Sequence, residues 1–111
     1  MKIKRAGDNY VVVMITCSSK QEAGGIKKVL LEAKKVACVN IISKIDSFFW
    51  WRGKIDTAKE VLLLAKTKES LFREIIALVK KIHKYEVPEI VALPIIAGNK
   101  EYLEWIDESV R

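Results

Sequence analysis

The chain has 111 residues, half of them hydrophobic, with 20 Lys and Arg against 14 Asp and Glu and a formal net charge of +6. That length fits a single domain over residues 1–111 with a real core, and leaves enough surface for oligomerisation. The basic residues are interspersed with glutamates rather than massed, which argues against a nucleic-acid partner, and two cysteines are too few for a disulfide scaffold.

In chain order, Tyr10–Cys17 is apolar and β-branched and reads as a buried strand. Its apolar run, Val11–Ile15, is too short for a signal peptide or a bilayer span, so no membrane partner and a reducing cytoplasm are expected. Ser19 and Glu22 have the spacing of a capping box. Ala23, Ile26, Leu30, Ala33 and Ala37 then recur at helical spacing, with Lys34-Lys35 at the negative end of the helix dipole. Cys38–Trp51 reads as a long strand interrupted near Ser43-Lys44, Arg52-Gly53-Lys54 as a turn, and Ile55–Thr67 as the returning strand. Lys68–His83 carries one apolar face (Leu71, Phe72, Ile75, Ile76, Val79, Ile82) and predicts the second helix. Ile90–Ile96 is a strand whose Pro94 places it at an edge or a bulge. Gly98-Asn99 breaks the chain and caps a closing helix over Tyr102–Val110.

The order β-α-β-β-α-β plus a terminal helix is the ferredoxin-like, α+β pattern. Its helices cover one sheet face, and a wet second face should alternate apolar and polar residues. Val61–Ala65 does not alternate, and Phe48–Trp51 is wholly aromatic. Both segments therefore read as buried on two sides, with a second subunit as the simplest source of the missing cover.

The topology also gathers chemistry. Cys17 ends the first strand, the Trp50-Trp51 turn follows the second, and His83 leaves the second helix, all at one end of the sheet. Cys38 begins the second strand at the other end, too far for a disulfide with Cys17. His83 is the sole histidine, and with Cys17 it makes two ligands for Cu or Zn, which usually want three or four. Glu86, Glu89 or a neighbouring subunit would complete the set. Each residue also has a structural reading. Histidine is favoured at a helix C-terminus by the dipole, and cysteine is commonly buried. The tryptophans serve equally as interface anchors, and Tyr85, Glu86 and Glu89 as solvated or structural groups. Cys38 reads as a small buried hydrophobe. The third strand lacks the aromatics of an RNA-recognition module, and no P-loop, dinucleotide fingerprint or C-x-x-C is present.

Several ordered pieces carry a resemblance. They are Ala37-Cys38-Val39-Asn40, Trp51-x-Gly53-Lys54-Ile55, Glu60-Val61-Leu62-Leu63-Leu64 with Lys66-Thr67, His83-x-Tyr85-Glu86-Val87-Pro88-Glu89-Ile90, Ala92-Leu93-Pro94-Ile95, and Gly98-Asn99 with Tyr102-Leu103-x-Trp105-Ile106. Together they resemble the CutA family of divalent-cation tolerance proteins, from about Tyr10 to the C-terminus. The resemblance implies a homotrimer of ferredoxin-like subunits, similar to the PII signal proteins, and a link to tolerance of copper and other divalent metals. It implies no known enzymatic reaction and no obligatory cofactor. His83 falls on the family's common histidine. The family's cysteine position corresponds to Ile15, its second adjacent histidine to Ile82, and the proline that usually follows to Lys84.

Two functions are therefore expected from the residues and the resemblance together. One is a trimer that binds Cu(II) or another divalent cation through His83 and Cys17. The other is a PII-like trimer that binds a small molecule or protein in intersubunit clefts lined by Trp51, Lys66, Tyr85, Glu86 and Glu89.

Overall fold

The aliphatic and β-branched runs meet in one four-stranded sheet. A computed structural model describes residues 3–5 and 9–111. In chain order, a short β1 (Ile3–Arg5) precedes β2 (Tyr10–Cys17), α1 (Lys20–Glu32), β3 (Cys38–Trp51) and β4 (Lys54–Lys68). One 3₁₀ turn (Glu69–Leu71) leads into α2 (Phe72–Ile82), followed by β5 (Ile90–Pro94), β6 (Ala97–Asn99) and α3 (Lys100–Ser109). The sheet order is β3-β4-β2-β5, with every neighbouring pair antiparallel. This is the α+β, ferredoxin-like arrangement expected, with the third predicted strand (β4) between the first two.

The period of two along β2 and β4 builds the core. Val11, Val13, Ile15 and Cys17 face the helices beside Val61, Leu63 and Ala65, and pack on Ala23, Ile26 and Leu30 of α1 and Ile75 and Val79 of α2. A smaller cluster of Tyr10, Leu103 and Ile106 docks α3 at the far end of the sheet. Gly98 lets α3 approach, since a Cβ there would sit 3.2 Å from the Leu103 side chain.

Several boundaries differ from the sequence pattern. The first helix stops at Glu32 rather than running toward Ala37. Lys34 adopts a left-handed conformation, φ 57°, and the Lys34 and Lys35 amides donate to the carbonyls of Leu31 and Leu30. That pair of bonds is a Schellman ending, here with lysine where glycine is usual. The second helix is shorter than Lys68–His83. It begins with the 3₁₀ turn and ends at Ile82, while His83 turns out into extended backbone. The β3–β4 hairpin closes through Arg52 and Gly53, both with positive φ (51° and 78°), as the twist of a two-residue hairpin turn requires. The interruption near Ser43-Lys44 is a β-bulge, with Lys44 at φ 63°. Pro94 ends the edge strand β5. Gly98-Asn99, read as a chain break, instead belongs with Ala97 to β6, which pairs with β1 as a two-stranded ribbon.

The second sheet face is open in the single chain, so Val61–Ala65 and Phe48–Trp51 are not buried on both sides there. Leu62 and Leu64 are half-buried on that face, while Phe48 and Trp50, which point to the other side of the β3–β4 arm, are each 73 % exposed. Cys38, expected as a buried hydrophobe, is half-exposed because β3 is an edge strand.

Candidate metal centre and adjoining cleft

Strand β2 and the 83–89 segment meet at the end of the sheet where β2 stops, and α1 begins there. Ser19 caps α1 by accepting from the Glu22 amide at 3.1 Å. The Glu22 carboxylate does not return to the Ser19 amide, as a capping box would have it. Its Oε1 accepts from the Ser18 amide (2.7 Å) and hydroxyl (3.0 Å), and its Oε2 from the Lys84 amide (2.6 Å). Glu22 thereby clamps the start of α1 to the exit of α2.

His83 fills the space between them with a fully buried side chain. Its Nε2 lies 2.8 Å from the Thr16 carbonyl, and the Tyr85 amide donates to its Nδ1 at 3.0 Å. A carbonyl only accepts, so Nε2 carries the proton and Nδ1 the lone pair. The ring is a neutral bridge from β2 to the segment after α2. Nδ1 also stands 3.6 Å from Glu22 Oε2.

Cys17 completes the group. Its Sγ, a Glu22 carboxylate oxygen and a His83 ring nitrogen all lie within 4.8 Å of one another. Burial, then the charges of Glu22 and Glu60, push the Cys17 thiol up to about 12. Glu22 moves the other way. Burial alone would raise it, but hydrogen bonds from the Ser18 and Lys84 amides and the Ser18 hydroxyl outweigh burial and hold it below the usual carboxylate range.

Tyr85 crosses to the open face of the sheet, where its hydroxyl donates to Glu60 Oε2 at 2.7 Å. Burial, then the hydrogen bond and charge of Glu60, raise the Tyr85 phenol to about 12, with smaller contributions from Glu22 and Cys17. Beyond this pair a cleft of about 910 Å³ opens between the β3–β4 arm and the 84–89 segment. Phe49 and Trp51 line one wall, and Tyr85, Glu86 and Glu89 the other.

Of the sequence candidates, the structure brings His83 to Cys17, and Trp51 to Tyr85, Glu86 and Glu89. Lys66 lies apart from both groups, pairing with Val12 and Cys38 at the opposite end of the sheet, where its Nζ meets Asn40 Oδ1. Glu86 and Glu89 face the cleft rather than Cys17. Glu22 is the residue that sequence reasoning missed. Its capping-box spacing accounted for it as a helix start and hid its second role. Glu60 was likewise passed over as part of a strand.

Residues 11–109 match the family described as CutA1 divalent ion tolerance protein. The chain belongs to the CutA family. It is 50 % identical over 98 residues to the divalent-cation tolerance protein CutA of Archaeoglobus fulgidus, covering 88 % of this chain and 95 % of that one. It is 44 % identical over 101 residues to the chloroplastic protein CutA 1 of Oryza sativa, covering 91 % of this chain but only 57 % of the rice protein's length. In structure it superposes on the divalent cation tolerance protein of Thermus thermophilus with a TM-score of 0.90, at 44 % identity, covering 92 % of this chain and 99 % of that one. CutA membership explains the ordered motifs from Ala37 to Ile106. Among the described residues, no helix is long and apolar enough to cross a membrane.

Proposed function

We propose that this CutA protein takes part in divalent-cation tolerance by holding a divalent ion at Cys17, Glu22 and His83. The observation that carries the reading is the convergence of thiol, carboxylate and imidazole within 4.8 Å. The donors fit such an ion. Nδ1 is the lone-pair nitrogen and stands nearest Glu22, while Nε2–H stays on the Thr16 carbonyl, the outer-shell bond that orients ligand histidines. Thiolate, imidazole and carboxylate together favour Zn(II) or copper over Mg(II) or Ca(II). An ion here would displace the Tyr85 amide from Nδ1 and release the Cys17 thiol proton to solvent, so moderate affinity is expected.

A homotrimer is part of this reading. The open sheet face carries Ile42, Phe49, Trp51, Val91 and Leu93, all exposed in the single chain, and monomers rarely leave so large an apolar strip uncovered. Two free cysteines at opposite ends of the sheet fit a reducing cytoplasm.

Calorimetric titration with Zn(II) and Cu(II) tests the centre. The reading expects about one ion per chain, and weaker binding in Glu22→Gln and Cys17→Ser. Equal binding by all three proteins would remove the centre from the account. Sedimentation tests the assembly, with a micromolar monomer as the result that refutes it.

A further inference from the structure

The Cys17–Glu22–His83 centre is closed. Cys17 and the His83 side chain are fully buried, and the Glu22 side chain is 8 % exposed. An ion, or any thiol reagent, therefore reaches the sulfur only when a wall yields. Strand β2 is hydrogen-bonded on both sides, to β4 and to β5. The exit of α2 is tied by His83 to Thr16 and by Tyr85 to Glu60. The first turn of α1, Lys20–Ala23, is the remaining wall, and its one core side chain is the Ala23 methyl.

This turn joins the rest of α1 at the weakest point of the helix. Gly24 and Gly25 follow it directly. Glycine inside a helix is about four- to fivefold less favourable than alanine, so the pair costs about twentyfold. Gly53 and Gly98 have local reasons, a positive φ at the first and room for Leu103 at the second. Gly24 and Gly25 have neither. Both keep negative φ, and among the described residues a Cβ on either would meet nothing within 4 Å outside the helix's own backbone. They stand on the helix side of the sheet, away from the face that other copies cover. Their remaining physical effect is to uncouple Lys20–Ala23 from Ile26 and Leu30, which anchor α1 in the core.

Glu22 holds the turn down instead. Its carboxylate takes the Ser18 amide and hydroxyl on one side and the Lys84 amide across the gap. Water replaces all three donors once the turn lifts.

We propose that Lys20–Ala23 is a flap, hinged at Gly24-Gly25 and latched by Glu22, whose opening admits ions to Cys17 and His83. Closure returns Glu22 as the third ligand, so the residue that latches the empty centre also seals the loaded one. As a route for ions the flap rests on the metal centre proposed above, but its opening requires no ion.

The test is native-state labelling of the full chain with methyl methanethiosulfonate at pH 8 in EDTA. Cys17 and Cys38 are read separately by peptide mass spectrometry, beside amide hydrogen exchange. Cys17 should label slowly, yet faster than global unfolding allows. Its rate should stay flat in urea below the unfolding transition, because opening one turn exposes little surface. Amides in residues 20–25 should exchange faster than those of Ile75–Val79 in α2. The double variant Gly24→Ala/Gly25→Ala should slow Cys17 labelling about twentyfold, and Glu22→Gln should speed it, with Cys38 unchanged in both. A Cys17 rate that climbs with urea along the global unfolding slope overturns the flap, as does equal labelling of wild type and the double variant. A double variant less stable than wild type also overturns it, since that marks a surface packed closely on the glycines. The urea arm uses only the wild-type chain and decides the matter even where a variant fails to fold. Zn(II) that does not bind a chain whose flap opens counts against the metal centre alone.

Discussion

Replacing His83 with alanine should destabilise the protein even when no metal is present. The imidazole makes two bonds, Nε2–H to the Thr16 carbonyl at 2.8 Å and the Tyr85 amide to Nδ1 at 3.0 Å. Alanine offers neither, and the ring is fully buried. A buried polar group left unmatched costs about 1–3 kcal/mol. Tyr85 lies near the surface, where water can replace the lost acceptor, so the Thr16 carbonyl bears most of the cost and the sum is about 2–4 kcal/mol. With a urea slope of about 1–3 kcal/mol per molar, the midpoint should fall by about 1–2 M. The assay is equilibrium urea unfolding in EDTA, with both proteins at the same concentration because assembly adds to apparent stability. A fall below about 0.3 M would refute the view that His83 is a structural bridge first and a ligand second.

Three further outcomes are expected. Lys34→Gly should stabilise by about 0.5–1 kcal/mol, because it relieves a left-handed lysine costing about 1–2 kcal/mol against a smaller glycine entropy term; a lower urea midpoint would contradict it. Glu22→Gln should matter above the ordinary glutamate pKa and fade in acid. The folded pKa is depressed, so the stabilisation is full above the unfolded value of 4.5 and is lost as pH falls through the folded one. Parallel stability curves for the two proteins from pH 7 to 3 would count against the Glu22 clamp. Cys17 should resist alkylation at pH 8 while Cys38 reacts, read by mass spectrometry of the native protein. The unfolded thiol ionises near 9 and the folded one near 12, so Cys17 also makes stability fall as pH rises past 9.

The sequence by itself determined the element order and most of the core. Period-two burial along Val11–Cys17 and period-3.6 burial along Phe72–Ile82 are local consequences of backbone geometry, legible without neighbours. The topology followed, and with it the meeting of Cys17 and His83, because an antiparallel ladder fixes which strand ends coincide. What stayed hidden depends on partners distant in the chain. Glu22 read as a helix cap because its bonds to Ser18 are local, whereas its bond to the Lys84 amide spans 62 residues. The end of α1 was displaced because Lys34 tolerates a conformation its side chain disfavours. The β1–β6 ribbon is three residues long on each side, too short for any period to register.

His83 shows the division most clearly. Its residue type made it a candidate ligand, and type alone allowed both nitrogens to be free. Only the tertiary structure committed Nε2–H to Thr16, gave Nδ1 the Tyr85 amide, and set Glu22 beside it. Hydrogen-bond direction is a property of atoms in space, and sequence spacing does not encode it. The same holds for Glu60, one more strand residue in the sequence, which the crossing of Tyr85 over the end of the sheet turns into a buried carboxylate facing an aromatic cleft.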